Sequence, residues 1–242
     1  MKLIKLDAID STNEFLKGIS TQQNTENFTV VTAENQTKGK GQRGAVWNSE
    51  IGKNLIMSVL VKDYLIHTNA IFNLNIAFSL AVITALKKKN IPDLSIKWPN
   101  DILSANKKIG GILIENSIKS DGSIHSIVGL GLNVNQTNFD GLPKASSLAV
   151  ITGLEFDKDE LLLDIITNLE KNVIESKNNP EALRQQFVDL LYKKDIPMPF
   201  TNKKEEKFMG IIQGISPIGR LQVLLEDDSV AEFDIKDIQM LY

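Results

Sequence analysis

Apolar residues recur along this chain with two spacings, one typical of strands and one typical of helices. The clearest helical stripe lies between residues 70 and 89, where Phe72, Ile76, Leu80, Ile83 and Leu86 share one face. Further apolar residues surround this stripe, so the segment is predicted to be a largely buried helix. The other predicted elements are a short helix at 12–17, strands at 28–32, 54–61, 95–98, 109–116 and 124–134, and helices at 159–175 and 180–193.

Capping residues mark the start of two of these helices. Ser11 is followed three residues later by Glu14, which is the pattern of a capping box. Asn179 precedes Pro180, a cap residue followed by a proline at the first helical position. The alternation of strands and helices predicts an α/β fold, a mixed β-sheet with helices packed on it. The polar motifs fall at strand ends and in loops, where binding and catalytic residues usually lie.

The pattern changes after residue 194. The run Ile196-Pro197-Met198-Pro199 cannot continue a helix, and short alternating runs follow at 207–213, 220–226 and 230–235. We therefore divide the chain into a main domain, residues 1–194, and a small C-terminal β-barrel or sheet, residues 195–242. A domain of this size has marginal stability alone, so we expect it to dock on the main domain.

Composition argues against several kinds of chemistry. The chain has no cysteine, which excludes a thiolate nucleophile and a thiol metal site, and its two histidines are far apart, which argues against a histidine metal cluster. Any catalytic metal is expected to be held by carboxylates, phosphates or water. A net charge of −3 gives no general attraction for nucleic acid. There is no secretion signal and no apolar stretch of the roughly 18 residues that a membrane span requires. We therefore predict a cytoplasmic protein with neither nucleic acid nor membrane as a partner.

Two motifs carry the candidate chemistry. The run Lys97-Trp98-Pro99-Asn100-Asp101 is a rigid, charged, aromatic turn, and the loop 39–47 is rich in glycine and carries cations. Each alone is compatible with an ordinary turn or a flexible surface loop. Together they provide what a protein needs to hold two anionic groups in a partly dry pocket, which indicates chemistry on phosphates.

The first motif, followed by Lys108-Ile109-Gly110-Gly111-Ile112-Leu113-Ile114-Glu115, resembles the central signature of biotin–protein ligases. Similar segments occur in the same order at Asp10-Ser11-Thr12-Asn13, at Gln36 with the loop 39–44, and at 129–135 and 142–148. The resemblance covers about residues 7–150 and, more loosely, the rest. It implies a biotin/lipoate ligase fold similar to class II synthetases, with a small C-terminal β-barrel domain.

The resemblance implies that biotin and ATP, which brings Mg²⁺, form biotinyl-AMP and pyrophosphate, and that a lysine of a biotin carboxyl carrier protein then takes the biotinyl group. Lys97 is the first catalytic candidate, as a point charge between the biotin carboxylate and the α-phosphate, and Arg43 is the second. The residues implied to bind biotin are Ser11, Thr12, Asn13, Gln36, Lys40, Gly41, Gln42, Lys97 and Gly111. Those implied to bind ATP or the adenylate are Gly39, Arg43, Gly44, Trp47, Asn100, Asp101, Lys108 and Asn133.

Some of these roles have ordinary structural alternatives. Ser11 could serve only as the cap of a helix, and Asp101 could serve only to stabilise its own turn. Trp47 could be an ordinary residue of the hydrophobic core. In the loop, Lys40 and Gln42 stand where arginine is frequent in the family, and so does Ala45. Which cation contacts the adenylate phosphate is therefore open.

Two other functions stay open. One is a lipoate–protein ligase or octanoyl transferase of the same fold, although the chain lacks the arginine-rich, triple-glycine and histidine signature of those enzymes. The other is a non-catalytic protein that binds biotin or the carrier. Relatives that repress transcription carry an N-terminal winged helix, for which the motif at Asp10 leaves no room, so no DNA binding is expected. We expect a monomer or weak homodimer, with the segments 39–45 and 136–147 closing over the ligand.

Overall fold

The computed structural model describes residues 2–22, 25–62, 64, 71–119 and 122–242. Within them, the main sheet consists of β1 Leu3–Ile9, β2 Val30–Gln36, β3 Leu55–Lys62, β4 Leu94–Lys97, β5 Asp101–Ser104, β6 Lys107–Ile118 and β7 Ile124–Leu132. A second sheet consists of β8 Pro197–Asn202, β9 Lys207–Ile215, β10 Leu221–Leu225, β11 Val230–Phe233 and β12 Ile238–Met240. The helices are α1 Thr12–Gln22, α2 Ile71–Lys88, α3 Leu148–Thr152, α4 Lys158–Asn178 and α5 Pro180–Asp189.

The main sheet is mixed, in the order β1-β2-β3-β7-β6-β5-β4. β1 and β2 are parallel, and the other neighbouring pairs are antiparallel. A parallel pair requires a crossover connection, and α1 supplies it. Because of this order, the ends of β1, β2 and β7 and the beginning of β3 lie at the same edge of the sheet. The turn between β4 and β5 lies beside them, because Asp101 pairs with Gly111 of β6, which in turn pairs with Gly131 near the end of β7. The motifs found in the sequence lie at this edge.

Different elements cover the two faces of the sheet, because successive residues of a strand point to opposite sides. On one face, Leu16 of α1 packs with Val31, Leu60 and Ile127 in a small cluster of fully or almost fully buried residues. On the other face lies the larger core, to which β3, β6 and β7 contribute together with α2, α4 and α5. The site described below lies on the α1 face.

Helix α2 is buried on most of its surface because it packs against α4, α5 and the sheet. By length and composition alone, it is the one helix of the described residues that could cross a membrane. Of its 18-residue segment, 67% is buried inside the structure, as in the core helix of a globular fold.

The second sheet is antiparallel, in the order β11-β10-β9-β8-β12. Its buried residues, among them Phe200 and Val223, belong to the same hydrophobic core as the main sheet. At the junction, Trp98 Nε1 donates a hydrogen bond of 2.9 Å to the carbonyl of Gly219, and Arg184 Nη1 donates one of 2.8 Å to the carbonyl of Ser216. The expected docking is confirmed, whereas the domain boundary after residue 194 stays a prediction.

The predicted elements are present, but several ends differ because tertiary pairing sets them. The predicted buried helix is α2, and residue 70 lies outside the described residues. Helix α1 continues to residue 22 because its apolar face packs on the sheet, and β2 runs on to Gln36 because it pairs with β1. Helix α5 ends at Asp189, since the backbone of Leu190 and Tyr192 instead bonds to Ile96. The elements that the sequence did not predict are β1, β5, α3, β8 and β12.

Gly219 allows the second sheet to approach α2 closely. Its φ is +87°, and a Cβ at this position would lie 2.1 Å from Cγ of Phe72. We predict that Gly219→Ala lowers the free energy of unfolding by about 2–4 kcal/mol, since the backbone conformation and the overlap each cost roughly 1–2 kcal/mol. Urea denaturation of the two proteins measures this difference.

Gly122→Ala is the matched control. Gly122 has a similar φ of +83°, but a Cβ there would have no neighbour within 4 Å among the residues that the structure describes. Its expected loss is therefore the backbone part alone, about 1–2 kcal/mol. Equal losses in the two variants would show that the contact with Phe72 is not what makes Gly219 necessary.

Candidate active site

A cavity of about 180 Å³ opens at the edge of the main sheet, between α1 and the loop 39–47. Its walls come from strand ends on the α1 face and from the two motifs identified in the sequence. The lining residues are Ser11, Thr12, Asn13, Gln36, Lys40, Gly41, Gln42, Ala45, Val46, Trp47, Ile56, Met57, Asn100, Asp101, Lys108, Gly111, Ile112, Leu113, Gly129, Leu130 and Gly131. Most residues assigned from the sequence are thus brought together in one place.

A hydrogen-bonded network of polar side chains forms one end of the cavity. Gln36 Oε1 accepts hydrogen bonds from Thr12 N at 2.8 Å and from Thr12 Oγ1 at 3.1 Å. Ser58 Oγ lies 2.7 Å from Thr12 Oγ1 and 2.6 Å from Asn13 Oδ1. Asn13 Nδ2 donates to Glu115 Oε2 at 2.8 Å. Each side chain is held by another, so this end presents donors and acceptors in fixed orientations.

Ser11 is the residue directly before α1. The capping box predicted for it from the sequence is incomplete. The Ser11 hydroxyl is 3.5 Å from the backbone nitrogen of Glu14, which is the limit for a hydrogen bond. The carboxylate of Glu14 does not return to the helix start; instead, Lys40 Nζ donates to it at 2.7 Å. This ion pair lowers the pKa of the Glu14 carboxyl and joins the glycine-rich loop to α1.

Glycines in β6 and β7 make room for the cavity. A Cβ on Gly129 would lie 2.4 Å from Asn13 Oδ1, and one on Gly131 would lie 2.3 Å from the indole ring of Trp47. Gly111 pairs with Gly131 across the two strands and also borders the indole. Trp47 Nε1 is buried and, within the described residues, has no hydrogen-bond partner. The indole therefore forms one wall of the cavity instead of belonging to the hydrophobic core. Its N–H group is a donor without an acceptor among the described residues.

Two lysines line this cavity: Lys40, which is paired with Glu14, and Lys108, which lies at the Trp47 side. Lys108 Nζ lies 2.7 Å from Asp101 Oδ1 and 5.6 Å from the centre of the Trp47 ring. Asn100 holds the preceding turn against β6, because its Nδ2 donates to the carbonyl of Ile112 at 2.5 Å. Lys108 and Asp101 are both partly shielded from water, so their charges act more strongly here than on an open surface.

Lys97 lies on the other side of Asp101, in a second cavity of about 460 Å³ between the two sheets. This cavity shares Gln42 and Asp101 with the first one. Burial lowers the pKa of Lys97, with Lys108 acting in the same direction and Asp101 opposing it. The residue chosen first from the sequence is thus adjacent to the main cavity but does not line it.

The glycine-rich loop is folded back on itself. Trp47 N donates to the carbonyl of Gly39 at 2.9 Å, and Gly41 N donates to the carbonyl of Ala45 at 2.7 Å. A 3₁₀ turn at Gln42–Gly44 closes the loop, and Gly44 has a φ of +83°. Gly39 and Gly44 therefore shape the loop but do not line the cavity. The side chain of Arg43 lies outside what the structure describes.

The segment 136–147 is partly fixed to the sheet. Lys108 N donates to the carbonyl of Lys144, and Ser146 N donates to the carbonyl of Lys108, at 2.7 and 3.0 Å. Asn133 is buried, and its Nδ2 donates to the carbonyl of Ser146 at 3.0 Å. Asn133 therefore holds this segment and does not line the first cavity. Closure of the segment over a ligand stays a prediction, and its last part, 144–147, is already hydrogen-bonded to β6 and to Asn133.

Two residues of the polar network were missed in the sequence. Ser58 is fully buried in the apolar strand β3, and Glu115 lies on β6 opposite Ile127. A serine inside a run of buried apolar residues is a signal that it has a polar partner. Neither the partner nor its position can be found without the strand register.

The chain was compared with known proteins. A family model of the biotin/lipoate A/B protein ligases matches residues 6–133, and the chain belongs to that family. The bifunctional ligase/repressor BirA of Bacillus spizizenii is 32% identical over 174 residues, covering 70% of this chain and 53% of that protein. The biotin–[acetyl-CoA-carboxylase] ligase of Mycobacterium tuberculosis is 31% identical over 156 residues, covering 63% of this chain and 57% of that one. This chain thus spans about half the length of these curated relatives.

A solved structure gives a fuller match. The biotin protein ligase of Aquifex aeolicus in complex with biotin and ATP superimposes with a TM-score of 0.82 at 27% identity, covering 99% of this chain and 98% of that one. The match includes both sheets, so the α/β fold expected for the main sheet and the additional C-terminal sheet are confirmed.

Gly131 should be irreplaceable because the Trp47 indole lies on it. We predict that Gly131→Ala displaces the indole and shifts the fluorescence maximum of Trp47, measured in a Trp98→Phe background that leaves Trp47 as the one tryptophan. Gly111→Ala is the control, since a Cβ there would be 3.4 Å from the indole, an ordinary contact. An unchanged spectrum in Gly131→Ala would mean that the indole does not rest on β7.

Proposed function

We propose that this chain is an ATP-dependent biotin–protein ligase. It joins biotin and ATP to biotinyl-AMP with release of pyrophosphate, and transfers the biotinyl group to a lysine of a biotin carboxyl carrier protein. The observation that carries the proposal is the polarity of one cavity, which has a fixed hydrogen-bonding network at one end and Lys108 at the other. Biotin has the matching polarity, a neutral ureido ring at one end and a carboxylate at the other.

The polar end suits the ureido group. A ureido ring offers one carbonyl acceptor and two N–H donors, and hydroxyl and amide groups such as those of Ser11, Thr12, Asn13 and Gln36 supply the complementary atoms. A lipoyl dithiolane ring supplies neither donors nor acceptors. Binding it would cover the donors and acceptors that the network does not itself use and would not replace their bonds to water, which costs roughly 1–3 kcal/mol for each group left unpaired. The network thus favours biotin over lipoate.

At the other end, two anions must be brought together. The biotin carboxylate attacks the α-phosphorus, so a cation is needed where negative charge accumulates. We assign this position to Lys108, because it lines the cavity beside Gly111. Lys97, beyond Asp101, is assigned to the phosphates that extend toward the second cavity. Trp47 Nε1 is a further donor available to the bound adenylate.

Magnesium is assigned to ATP rather than to the protein. Among the described residues, no cluster of three or more His, Cys, Asp or Glu side chains has the arrangement of a metal site. Asp101 and Asn100 are the oxygen-bearing side chains next to the proposed phosphate position, and they would face an ion that arrives with ATP. Mg²⁺ usually binds through substrate phosphates with one or two carboxylates, which agrees with this arrangement.

Acceptor, location and assembly are part of the same proposal. The acceptor is a carrier domain with an exposed lysine, and the protein acts in the cytoplasm as a monomer or weak homodimer, without nucleic acid. The proposal that Arg43 contacts the adenylate phosphate also stands, since its backbone lies in the turn at Gln42–Gly44.

A transfer assay tests the function. The protein is incubated with magnesium-ATP, a biotin carboxyl carrier domain, and either biotin or lipoate, and the carrier is weighed by mass spectrometry. We expect one biotinyl group per carrier with biotin, no product with lipoate, and no product on a carrier whose acceptor lysine is replaced by arginine. Product with lipoate alone would establish the lipoate ligase instead, and no product in either case would favour a non-catalytic binding protein.

The two lysines should differ in their effects on adenylate formation. We predict that Lys108→Gln lowers the rate of pyrophosphate release about a hundredfold or more, while biotin affinity measured by calorimetry changes little. Lys97→Gln should lower the rate on the order of tenfold and raise the KM for ATP, because it meets the more distant phosphates. Lys87→Gln, at the exposed end of α2, is the control for loss of a positive charge. If Lys97→Gln lowered the rate of pyrophosphate release more than Lys108→Gln, Lys97 would be the cation between the biotin carboxylate and the α-phosphate.

A further inference from the structure

The ring of Tyr242 lies beside the candidate Lys97 and beside Lys144 of the segment 136–147. Lys97 Nζ is 4.8 Å and Lys144 Nζ is 4.1 Å from the ring centre, within the range of a cation–π interaction. Tyr192 packs against the same ring edge-on, with the two centroids 5.3 Å apart. The tyrosine therefore has three neighbours in the main part of the chain, although it follows β12 of the second sheet.

The backbone around Tyr242 fixes where the ring lies. Leu241 N donates to the carbonyl of Pro199 at 2.9 Å, which extends the pairing of β12 with β8. The carbonyl of Tyr242 accepts a hydrogen bond of 2.5 Å from Lys144 Nζ. Tyr192 is held in turn, because its backbone nitrogen donates to the carbonyl of Ile96 at 2.8 Å. The Tyr242 ring therefore belongs to a segment that is hydrogen-bonded to β8, and Tyr192, which packs against it, is hydrogen-bonded to β4.

Lys97 needs such a neighbour. Its ammonium group is largely buried, which disfavours the charged form, and its cross-strand partner Asp101 is already paired with Lys108 at 2.7 Å. An aromatic face can stabilise an ammonium group without adding a negative charge. A second carboxylate in the same place would repel incoming phosphates, whereas a ring does not.

We propose that Tyr242 is a positioning residue for adenylate formation, whose ring holds the Lys97 ammonium group beside Asp101 where the two cavities join. The inference rests on the proposed function. Tyr242 acts through Lys97 and does not itself touch the reacting atoms. Its contact with Lys144 serves the separate purpose of fixing the segment 144–147 next to β6.

Two variants separate the effect of the π face from that of the size of the side chain. Tyr242→Leu keeps an apolar side chain but removes the π face, and it should lower the rate of pyrophosphate release about three- to tenfold, which corresponds to a partly buried cation–π contact and does not exceed the loss expected for Lys97→Gln. The KM for biotin should not change. Tyr242→Phe keeps the face and should restore the parent rate within about twofold. Loss of activity in the phenylalanine variant would overturn the proposal, because the hydroxyl would then be the important group.

A double-mutant cycle tests whether the ring acts through Lys97. In a Lys97→Gln background, Tyr242→Leu should cause no further loss, since the ammonium group that the ring holds is already absent. In a Lys144→Met background, the same change should keep most of its effect. An effect of Tyr242→Leu that persists without Lys97, or a parent rate in Tyr242→Leu itself, would overturn the proposal.

A second measurement does not depend on biotin chemistry. Lys97 is labelled with a limiting amount of an amine-acylating reagent, and its extent of modification relative to other lysines is read by mass spectrometry. We expect faster labelling of Lys97 in Tyr242→Leu and parent labelling in Tyr242→Phe. If the parent protein releases no pyrophosphate with biotin, the proposed function fails, and the labelling still decides whether the ring holds Lys97. Equal labelling in all three proteins would overturn the positioning role.

Discussion

The site depends on two alternate residues of β7, both glycines, which leave the α1 face of the strand without side chains. Ile127 packs beneath α1, and two and four residues later Gly129 and Gly131 leave that face open. The residues between them point the other way, into the larger core. A central strand can thus stabilise the fold on one face and leave space for a ligand on the other. Asn13 and Trp47 come so close to the glycine backbone that any Cβ would displace them.

The parts of the site that could be predicted from the sequence are those whose chemistry is local. The glycine-rich cationic loop and the polar residues at the start of α1 can be recognised from the sequence alone. Strand register is not local, and β5 was missed because it is only four residues long. Without β5, the pairing of Asp101 with both Lys97 and Gly111 could not be known, so Lys97 and Lys108 could not be assigned to different cavities. Tyr242 gave no local signal at all, because its neighbours lie far away in the chain.

The location of the cations has a consequence for the proposed reaction. In this chain the loop carries Lys40 and Gln42, and Lys40 is paired with Glu14. Lys97 and Lys108, by contrast, belong to strands of the main sheet. Charges fixed on strands require little reorganisation when a ligand arrives, whereas charges on a loop must be ordered first. In the proposed site the loop contributes mainly its backbone groups and the Trp47 ring. These groups can stay in place when the loop side chains before Trp47, such as those of Lys40 and Gln42, are changed.

The second sheet takes part in the site as well as in the fold. Trp98 donates to the carbonyl of Gly219 at 2.9 Å, while the preceding residue, Lys97, lies 4.8 Å from the centre of the Tyr242 ring. Two neighbouring residues at the end of β4 are therefore held by two separate parts of the second sheet and its extension. Any loosening of that sheet moves the motif at 97–101 together with the lysine it carries. Stability at this junction and precision at the active site are consequently set by the same contacts, which gives a small sheet of marginal independent stability a direct influence on the chemistry.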